Sequence, residues 1–369
     1  MRVLHFFKTY LPETVGGIEQ VIYQICESTQ AYGIQSEVLT LSANPEPAEL
    51  VVGRHQVHRA RLDLEVASTG FSFSALWRLR ALAREVDLVH YHFPWPFMDV
   101  LHFAARIDKP YVVSYHSDIV RQKNLLRLYR PLMRRFLDGA ERLVAASPNY
   151  VETSEVLARY RDKTRVIPYG LDQSTYPQPA PERLEHWRQR LGERFFLFVG
   201  VLRYYKGLHV LLEAAAGTDY PVVIAGAGPM EQALRSQAAA LGLRNVHFLG
   251  RIDDADKSAL LTLCSAFVFP SHLRSEAFGI SLLEAAMFGK PLISCEIGTG
   301  TSFINQHERT GLVVPPDDPK ALREAMTRLW QAPDDMAAMG VRAREHYLAT
   351  FTSVEMGKSM SGLYREVLS

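Results

Sequence analysis

No apolar run in this 369-residue chain is long enough for a membrane-spanning helix: the longest, Phe195 to Leu202, has eight residues, against the ~20 that a span needs. Neither sign of charge is in excess, with 41 Lys plus Arg against 40 Asp plus Glu. No overall field therefore argues for a nucleic-acid partner, and any basic surface must be local. Cysteine is scarce. Cys26, Cys264 and Cys295 stand far apart in apolar surroundings with no Cys-x-x-Cys or Cys/His spacing. That speaks against disulfides, a structural metal or a redox motif, and for buried thiols in a reducing compartment. The opening Met1–Phe7 is apolar enough to suggest a signal peptide, but Lys8 interrupts it and no small-residue cleavage site follows. It is expected to be a first strand.

What is present is ordinary globular composition, 47% hydrophobic and 22% charged, in more chain than one core comfortably serves, so two domains are expected. Apolar runs at Val3–Phe7, Glu37–Leu41, Leu88–His92, Tyr111–Tyr115, Leu143–Ala146 and Val166–Ile167 alternate with amphipathic stretches such as Ala75–Arg84 and Leu125–Leu137. This is the βαβ pattern of a parallel sheet covered on both faces. Pro177, Pro179 and Pro181 then crowd a polar stretch that reads as a linker. A second alternation follows, with strands at Phe195–Val199, Val222–Ala225, Val246–Leu249, Phe267–Phe269 and Leu292–Ser294 and helices opening near Gly207, Pro229, Asp253 and Gly279. From Asp317 only helices are expected. The chain is thus divided into a first Rossmann-like domain at 1–172, a linker at 173–190, a second Rossmann-like domain at 191–350 and a helix at 351–369 returning to the first domain. Ligands of doubly wound sheets bind outside the carboxyl ends of the strands, so the chemistry is expected in a cleft where both sets of strand ends face each other.

Three segments carry the chemistry. Ser275-Glu276-Ala277-Phe278-Gly279-Ile280-Ser281-Leu282-Leu283-Glu284 follows a strand and leads into a helix. Backbone N–H groups at Phe278, Gly279 and Ile280 would favour phosphate or sugar oxygens, and the two carboxylates can accept from hydroxyls. Two glutamates eight residues apart are by themselves more often a solvated face. Gly200-Val201-Leu202-Arg203-Tyr204-Tyr205-Lys206-Gly207 brings two cations to a strand end beside a helix start, which suits a diphosphate. Thr14-Val15-Gly16-Gly17-Ile18-Glu19 follows the first strand. Its bland reading is a tight turn needing positive φ, and its functional one is a close backbone approach to phosphate.

The glycine-rich first loop, the Arg203-x-x-Lys206-Gly207 segment and the Glu276-x7-Glu284 element, in that order, resemble family four of the retaining glycosyltransferases, over essentially the whole chain. The resemblance implies a GT-B fold, a nucleotide sugar held mainly by the second domain and an acceptor held mainly by the first. It implies that Arg203 and Lys206 hold the diphosphate with help from Gly16 and Gly17. Glu276 would contact the sugar hydroxyls and Glu284 the ribose, with Phe278, Gly279 and Ile280 assisting through their backbone. It places His116, in Tyr115-His116-Ser117-Asp118, near the donor sugar, so His116, Arg203, Lys206 and Glu276 are the expected catalytic group. Asp118 is read as an acceptor contact or a helix cap. Ile167-Pro168-Tyr169-Gly170 departs from the family pattern, which usually has Asn at Tyr169, and no role is assigned to it. Transfer is expected to need neither metal nor cofactor, since no Asp-x-Asp pair is placed for a cation and charge on the leaving β-phosphate falls to Arg203, Lys206 and N–H donors.

The segment 121–136 carries Arg121, Lys123, Arg127, Arg130, Arg134 and Arg135 and no acid, interleaved with Leu125, Leu128, Leu132 and other apolar residues. This basic amphipathic helix reads either as a core helix with a solvated face or as peripheral contact with an anionic membrane. The opening His5–Glu19 is similar to bacterial mannosyl- and D-rhamnosyltransferases that build O-antigen on a polyprenyl carrier from GDP-sugars. The resemblance therefore implies a cytoplasmic enzyme with a GDP-sugar donor and a lipid-linked saccharide acceptor, and the membrane reading of 121–136 would place it at the inner face of the cytoplasmic membrane. The alternatives are a UDP-sugar transferase of the same family, a sugar-nucleotide epimerase or hydrolase of the same fold, and a non-catalytic carbohydrate binder, against which the paired cations count. Gly226-Ala227-Gly228 begins like a dinucleotide fingerprint, but Glu231 replaces the third glycine and no acid ends the next strand, which argues against a nicotinamide oxidoreductase.

Overall fold

The structure, a computed structural model, describes residues 1–66, 69–119 and 123–369. The chain forms two compact Rossmann-like units, one of Met1–Leu171 with Thr352–Ser369 and one of Asp172–Phe351. The strands of the first are β1 (Arg2–Phe6), β2 (Gln35–Ser42), β3 (Glu49–Val52), β4 (His55–Arg61), β5 (Leu64–Val66), β6 (Thr69–Phe71), β7 (Leu88–Phe93), β8 (Tyr111–Tyr115), β9 (Arg142–Ala145) and β10 (Thr164–Val166). Among the described residues eight of them make one sheet, in the order β10-β9-β8-β7-β1-β2-β4-β3. Only β3 is antiparallel to its neighbour there, and β5 and β6 form a separate antiparallel hairpin. Every residue of β7 and β8 is buried, as parallel strands covered by helices on both faces require. The elements β3 to β6 were not legible in the sequence, because β3 and β5 are short and largely solvent-facing.

The last helix, Ser353–Leu368, lies on the first, Gly17–Thr29. Gly357 makes this possible: a Cβ there would stand 2.7 Å from Ser28 Cβ. Arg365 donates to the Tyr32 carbonyl at 2.7 Å, and Ser353 N to the Leu171 carbonyl at 3.0 Å.

The second unit contains β11 (Phe196–Val199), β12 (Val222–Ala225), β13 (Val246–Gly250), β14 (Ala266–Phe269), β15 (Leu292–Cys295) and β16 (Gly311–Val314), in the order β13-β12-β11-β14-β15-β16. All pairs are parallel. The strand order reverses between β11 and β14, so the segments leaving their carboxyl ends flank the switch point. Residues 173–190, read as a linker, hold a helix at Pro181–Leu191. Arg183 pairs with Asp253 at 3.0 Å and Asp256 at 2.7 Å, and the Trp187 indole donates to Asp256 at 2.9 Å. The proline that suggested a break instead opens the helix, where its missing N–H is not needed. All three cysteines are buried and unpaired, and no helix of the described residues is long and apolar enough to cross a membrane.

Candidate active site

In the second unit, β11 ends and the chain passes through Arg203 into a single 3-10 turn, Tyr204–Lys206, before the helix Leu208–Ala215. The joint is Gly207, at φ 66, where a Cβ would fall 1.9 Å from the Pro270 carbonyl oxygen. Only glycine permits both the left-handed backbone and that approach, which presses Lys206 against the segment following β14. There the Lys206 ammonium donates to Glu276 Oε2, which also accepts from Ser271 Oγ at 3.2 Å. The ammonium lies 4.6 Å from the centre of the Phe269 ring, and both members of the pair are buried. Arg203 stays exposed. Two of the residues assigned to charge and sugar, Lys206 and Glu276, are thus joined directly, one in the turn that follows β11 and the other on the segment that follows β14.

Glu276 leads to Phe278, which is buried, and to Gly279 at φ 99, the cap of the helix Ile280–Met287. The first N–H groups of this helix have no partner within it. Glu284, on the same helix, is buried and accepts through Oε1 from the Tyr176 hydroxyl at 2.9 Å and Lys257 Nζ at 3.0 Å. Burial alone would lower the Lys257 ammonium, but Glu284 and Asp254 outweigh it and hold it raised. Tyr176 and Lys257 were missed in the sequence. Tyr176 stands among prolines, Lys257 on an ordinary amphipathic helix, and nothing in the spacing links either to Glu284.

In the first unit, Gly16 caps the first helix with φ −148 and ψ 178. This corrects the expectation of a positive φ, since neither Gly16 nor Gly17 has one. What Gly16 needs is space: a Cβ would lie 2.5 Å from Glu19 Oε2. His116 stands one residue beyond β8, and both its ring nitrogens are engaged, Nδ1 with the Tyr169 hydroxyl at 2.5 Å and Nε2 with His92 Nδ1 at 2.9 Å. His92 continues to His5 at 3.0 Å. The string ends at His5 Nε2, which is buried and has no hydrogen-bond partner among the described residues. His90 joins the same face through Ser114 Oγ at 2.7 Å and the Tyr364 hydroxyl at 2.6 Å.

Burial holds the His5 and His116 imidazoles down to about 3 and those of His90 and His92 well below the usual range. Neutral imidazoles each donate through one nitrogen and accept through the other, so the string Tyr169–His116–His92–His5 has one direction throughout. His5, His90 and His92 are close enough to share a cation. However, the His92 ring stacks on both others at 22°, which turns in-plane lone pairs past each other, and both nitrogens of His90 are taken by hydroxyls. The signal that could have exposed this string was His90-Tyr91-His92, since residues two apart on a strand share a face.

Asp118 Oδ1 accepts from the Tyr115 hydroxyl at 2.8 Å and Ser154 Oγ at 2.7 Å. These bonds tie the end of β8 to the helix beginning at Glu155, whose cap is Ser154 rather than Asp118. The basic segment forms the helix Lys123–Gly139. Its Met133, Phe136 and Leu137 are buried, Leu128 is 82% exposed, and Arg127, Arg130, Arg134 and Arg135 face solvent. Arg121 and the side chains of Lys123 and Leu125 lie outside the described residues.

Comparison with known proteins matches residues 181–346 to the family described as glycosyl transferases group 1 and residues 15–175 to glycosyltransferase family 4. The chain is 66% identical to the D-rhamnosyltransferase WbpZ of Pseudomonas aeruginosa, over 96% of this chain and 93% of that protein. It is 50% identical to the O-antigen chain mannosyltransferase C of Escherichia coli, over 100% and 99% of the two. Among solved structures, sucrose-phosphate synthase from Thermosynechococcus elongatus superposes with a TM-score of 0.81 at 21% identity, covering 99% of this chain and 98% of that one.

Proposed function

The chain belongs to the family 4 glycosyltransferases, and from that premise we propose that it moves mannose or D-rhamnose from a GDP-sugar, with retention and without a metal ion, to a growing lipid-linked O-antigen. The observation that carries this reading is the buried Lys206–Glu276 pair beside the switch point of β11 and β14, with exposed Arg203 on one side and the start of the helix Ile280–Met287 on the other. That the two relatives are a D-rhamnosyltransferase and an O-antigen chain mannosyltransferase supports the sugar and the O-antigen product.

The leaving group is a nucleoside diphosphate whose β-phosphate gains charge as the anomeric carbon becomes oxocarbenium-like. Arg203, Lys206 and the N–H groups of Gly16 and Gly17 stabilise that charge, and each preorganised donor contributes on the order of 10²–10³ in rate. Glu276 holds the sugar hydroxyls, and its carboxylate keeps the Lys206 ammonium in place. Glu284 accepts from the ribose while Lys257 and Tyr176 fix its orientation. Phe278, Gly279 and Ile280 supply backbone donors. The departing phosphate takes the acceptor's proton on the face from which it leaves. His116 acts as a neutral imidazole held by Tyr169 and His92, and Asp118 serves the acceptor side at the end of β8.

The protein reaches a lipid-linked acceptor from an anionic membrane surface. The helices Phe73–Glu85, Pro96–Ala104 and Lys123–Gly139 pack side by side. The first exposes Phe73 (82%) and Trp77 (66%) in line with exposed Arg80 and Arg84, and the third exposes Leu128 among its arginines. Aromatic rings interleaved with cations suit a headgroup layer. The deciding experiment is a panel of GDP- and UDP-sugars assayed for binding and for donor turnover with and without acceptor. Preference for GDP-mannose or GDP-D-rhamnose with acceptor-dependent turnover is expected, whereas turnover that needs no acceptor would establish an epimerase or hydrolase.

A further inference from the structure

Three side chains outside the donor set converge in the second unit. His209 lies in the first turn of the helix Leu208–Ala215, His272 three residues beyond β14, and Asp317 between β16 and the helix Pro319–Gln331. His272 Nδ1 is 3.3 Å and His209 Nε2 3.9 Å from Asp317 Oδ1. One ligand atom from each lies within 4.8 Å of the other two. The two rings meet edge to face, at 84° with centroids 5.1 Å apart, so their lone pairs can converge where those of the stacked histidines in the first unit cannot. Together with Tyr204, Glu213 and Met230 the three line an open pocket of ≈ 580 Å³.

The sharpest observation is His272 itself. Its side chain is 9% exposed, and Nδ1 is buried and makes no hydrogen bond among the described residues despite the carboxylate beside it. Such an atom normally has a partner, and a lone pair directed at a cation is one.

We infer that His209, His272 and Asp317 form a binding site for a divalent first-row transition metal of the Zn²⁺ class, with a fourth position open to the pocket. Bonds of about 2.0–2.1 Å in a tetrahedral centre space the ligand atoms about 3.3 Å apart. The His272–Asp317 separation already meets that spacing, and the longer one closes by a small turn of His209 and Asp317, whose side chains are 45% and 60% exposed. Two imidazoles and one carboxylate select such an ion over Mg²⁺ or Ca²⁺, which prefer oxygen. The cation would staple three segments at the carboxyl end of the sheet, raising thermal stability by binding only the folded chain. The sequence gives no warning of it, because the ligands are far apart in the chain and share no motif.

The test uses the full chain, stripped of metal and titrated with Zn²⁺ and with Mg²⁺ by calorimetry, with Co²⁺ absorption as a second readout. One equivalent of Zn²⁺ is expected, in preference to Mg²⁺, with a rise in melting temperature. His209→Ala and Asp317→Asn should each weaken binding at least tenfold, and both side chains are exposed enough to spare the fold. His186→Ala, an exposed histidine on the helix Pro181–Leu191, should change nothing. Absent or sub-stoichiometric binding, or equal loss in the His186 variant, would show an adventitious ion only and overturn the assignment.

Discussion

The Tyr169 hydroxyl and His116 Nδ1 stand 2.5 Å apart, both buried. Tyrosine reaches a ring nitrogen, so the direction of this hydrogen bond and the direction of the bonds on to His92 and His5 are coupled. We expect Tyr169→Phe to leave Nδ1 buried without a partner, destabilising the first unit by about 1–3 kcal/mol. Turnover should fall more than nucleotide affinity. Denaturant unfolding and steady-state kinetics measure the two, and unchanged stability with unchanged kcat would remove the hydroxyl from any role.

The two glutamates should separate. Glu276→Ala is expected to lower kcat on the order of 10²-fold with little change in GDP affinity, and Glu284→Ala to weaken GDP about tenfold, or about 1.4 kcal/mol. Because Glu284→Ala also strands the buried Lys257 ammonium, which is destabilising by about 3–5 kcal/mol, Glu284→Gln is the cleaner variant. Calorimetry with GDP decides. Equal loss of nucleotide affinity in the Glu276 and Glu284 variants would end the division of roles.

Sugar transfer should continue undiminished in EDTA, because the leaving diphosphate is assigned to Arg203, Lys206 and backbone donors. This holds whether or not His209, His272 and Asp317 carry a cation, since none of them is in the donor set. Rescue of an inactive preparation by Mg²⁺ or Mn²⁺ would contradict it.

Changing Arg127, Arg130 and Arg134 together to Gln should reduce sedimentation with anionic liposomes while sparing transfer to a short soluble acceptor. Exposed charge attraction fades beyond a Debye length of ~8 Å at physiological ionic strength, so wild-type binding should weaken with salt. Phe73→Ser with Trp77→Ser should lower it further without changing its salt slope. A wild type that ignores anionic liposomes at low salt would reduce these residues to solvated surface.

Stability should fall with acid. His5 and His116 stay neutral down to about 3 in the folded chain, and His90 and His92 lower than usual as well, because burial disfavours their charged forms. The unfolded chain takes up these protons near pH 6.5. The unfolded state thus binds more protons below that pH, and stability is full above 6.5 and lost progressively as pH falls toward 3. The slope is up to about 1.4 kcal/mol per pH unit for each histidine. Denaturant midpoints at pH 7.5, 6 and 5 measure it, and a flat profile would mean that the histidines are solvated.

Much of this protein lies in local pattern. Buried parallel strands are nearly continuous apolar runs, so β1, β7 and β8 and the strands β11 to β15 are legible from composition alone, as is the order of the Gly16, Arg203–Lys206 and Glu276–Glu284 segments. The tertiary structure decided what pairs with what. Lys206 meets Glu276 because Gly207 admits the Pro270 carbonyl, and Glu284 meets Tyr176 and Lys257 because two helices and a proline-rich stretch converge on it. His5, His92, His116 and Tyr169 join only because β1, β7 and β8 are neighbours in register. Periodicity is a property of adjacent residues and survives in the sequence. Hydrogen bonds and ion pairs act over about 3 Å between groups that may be a hundred residues apart, and only the packed chain brings them within that range.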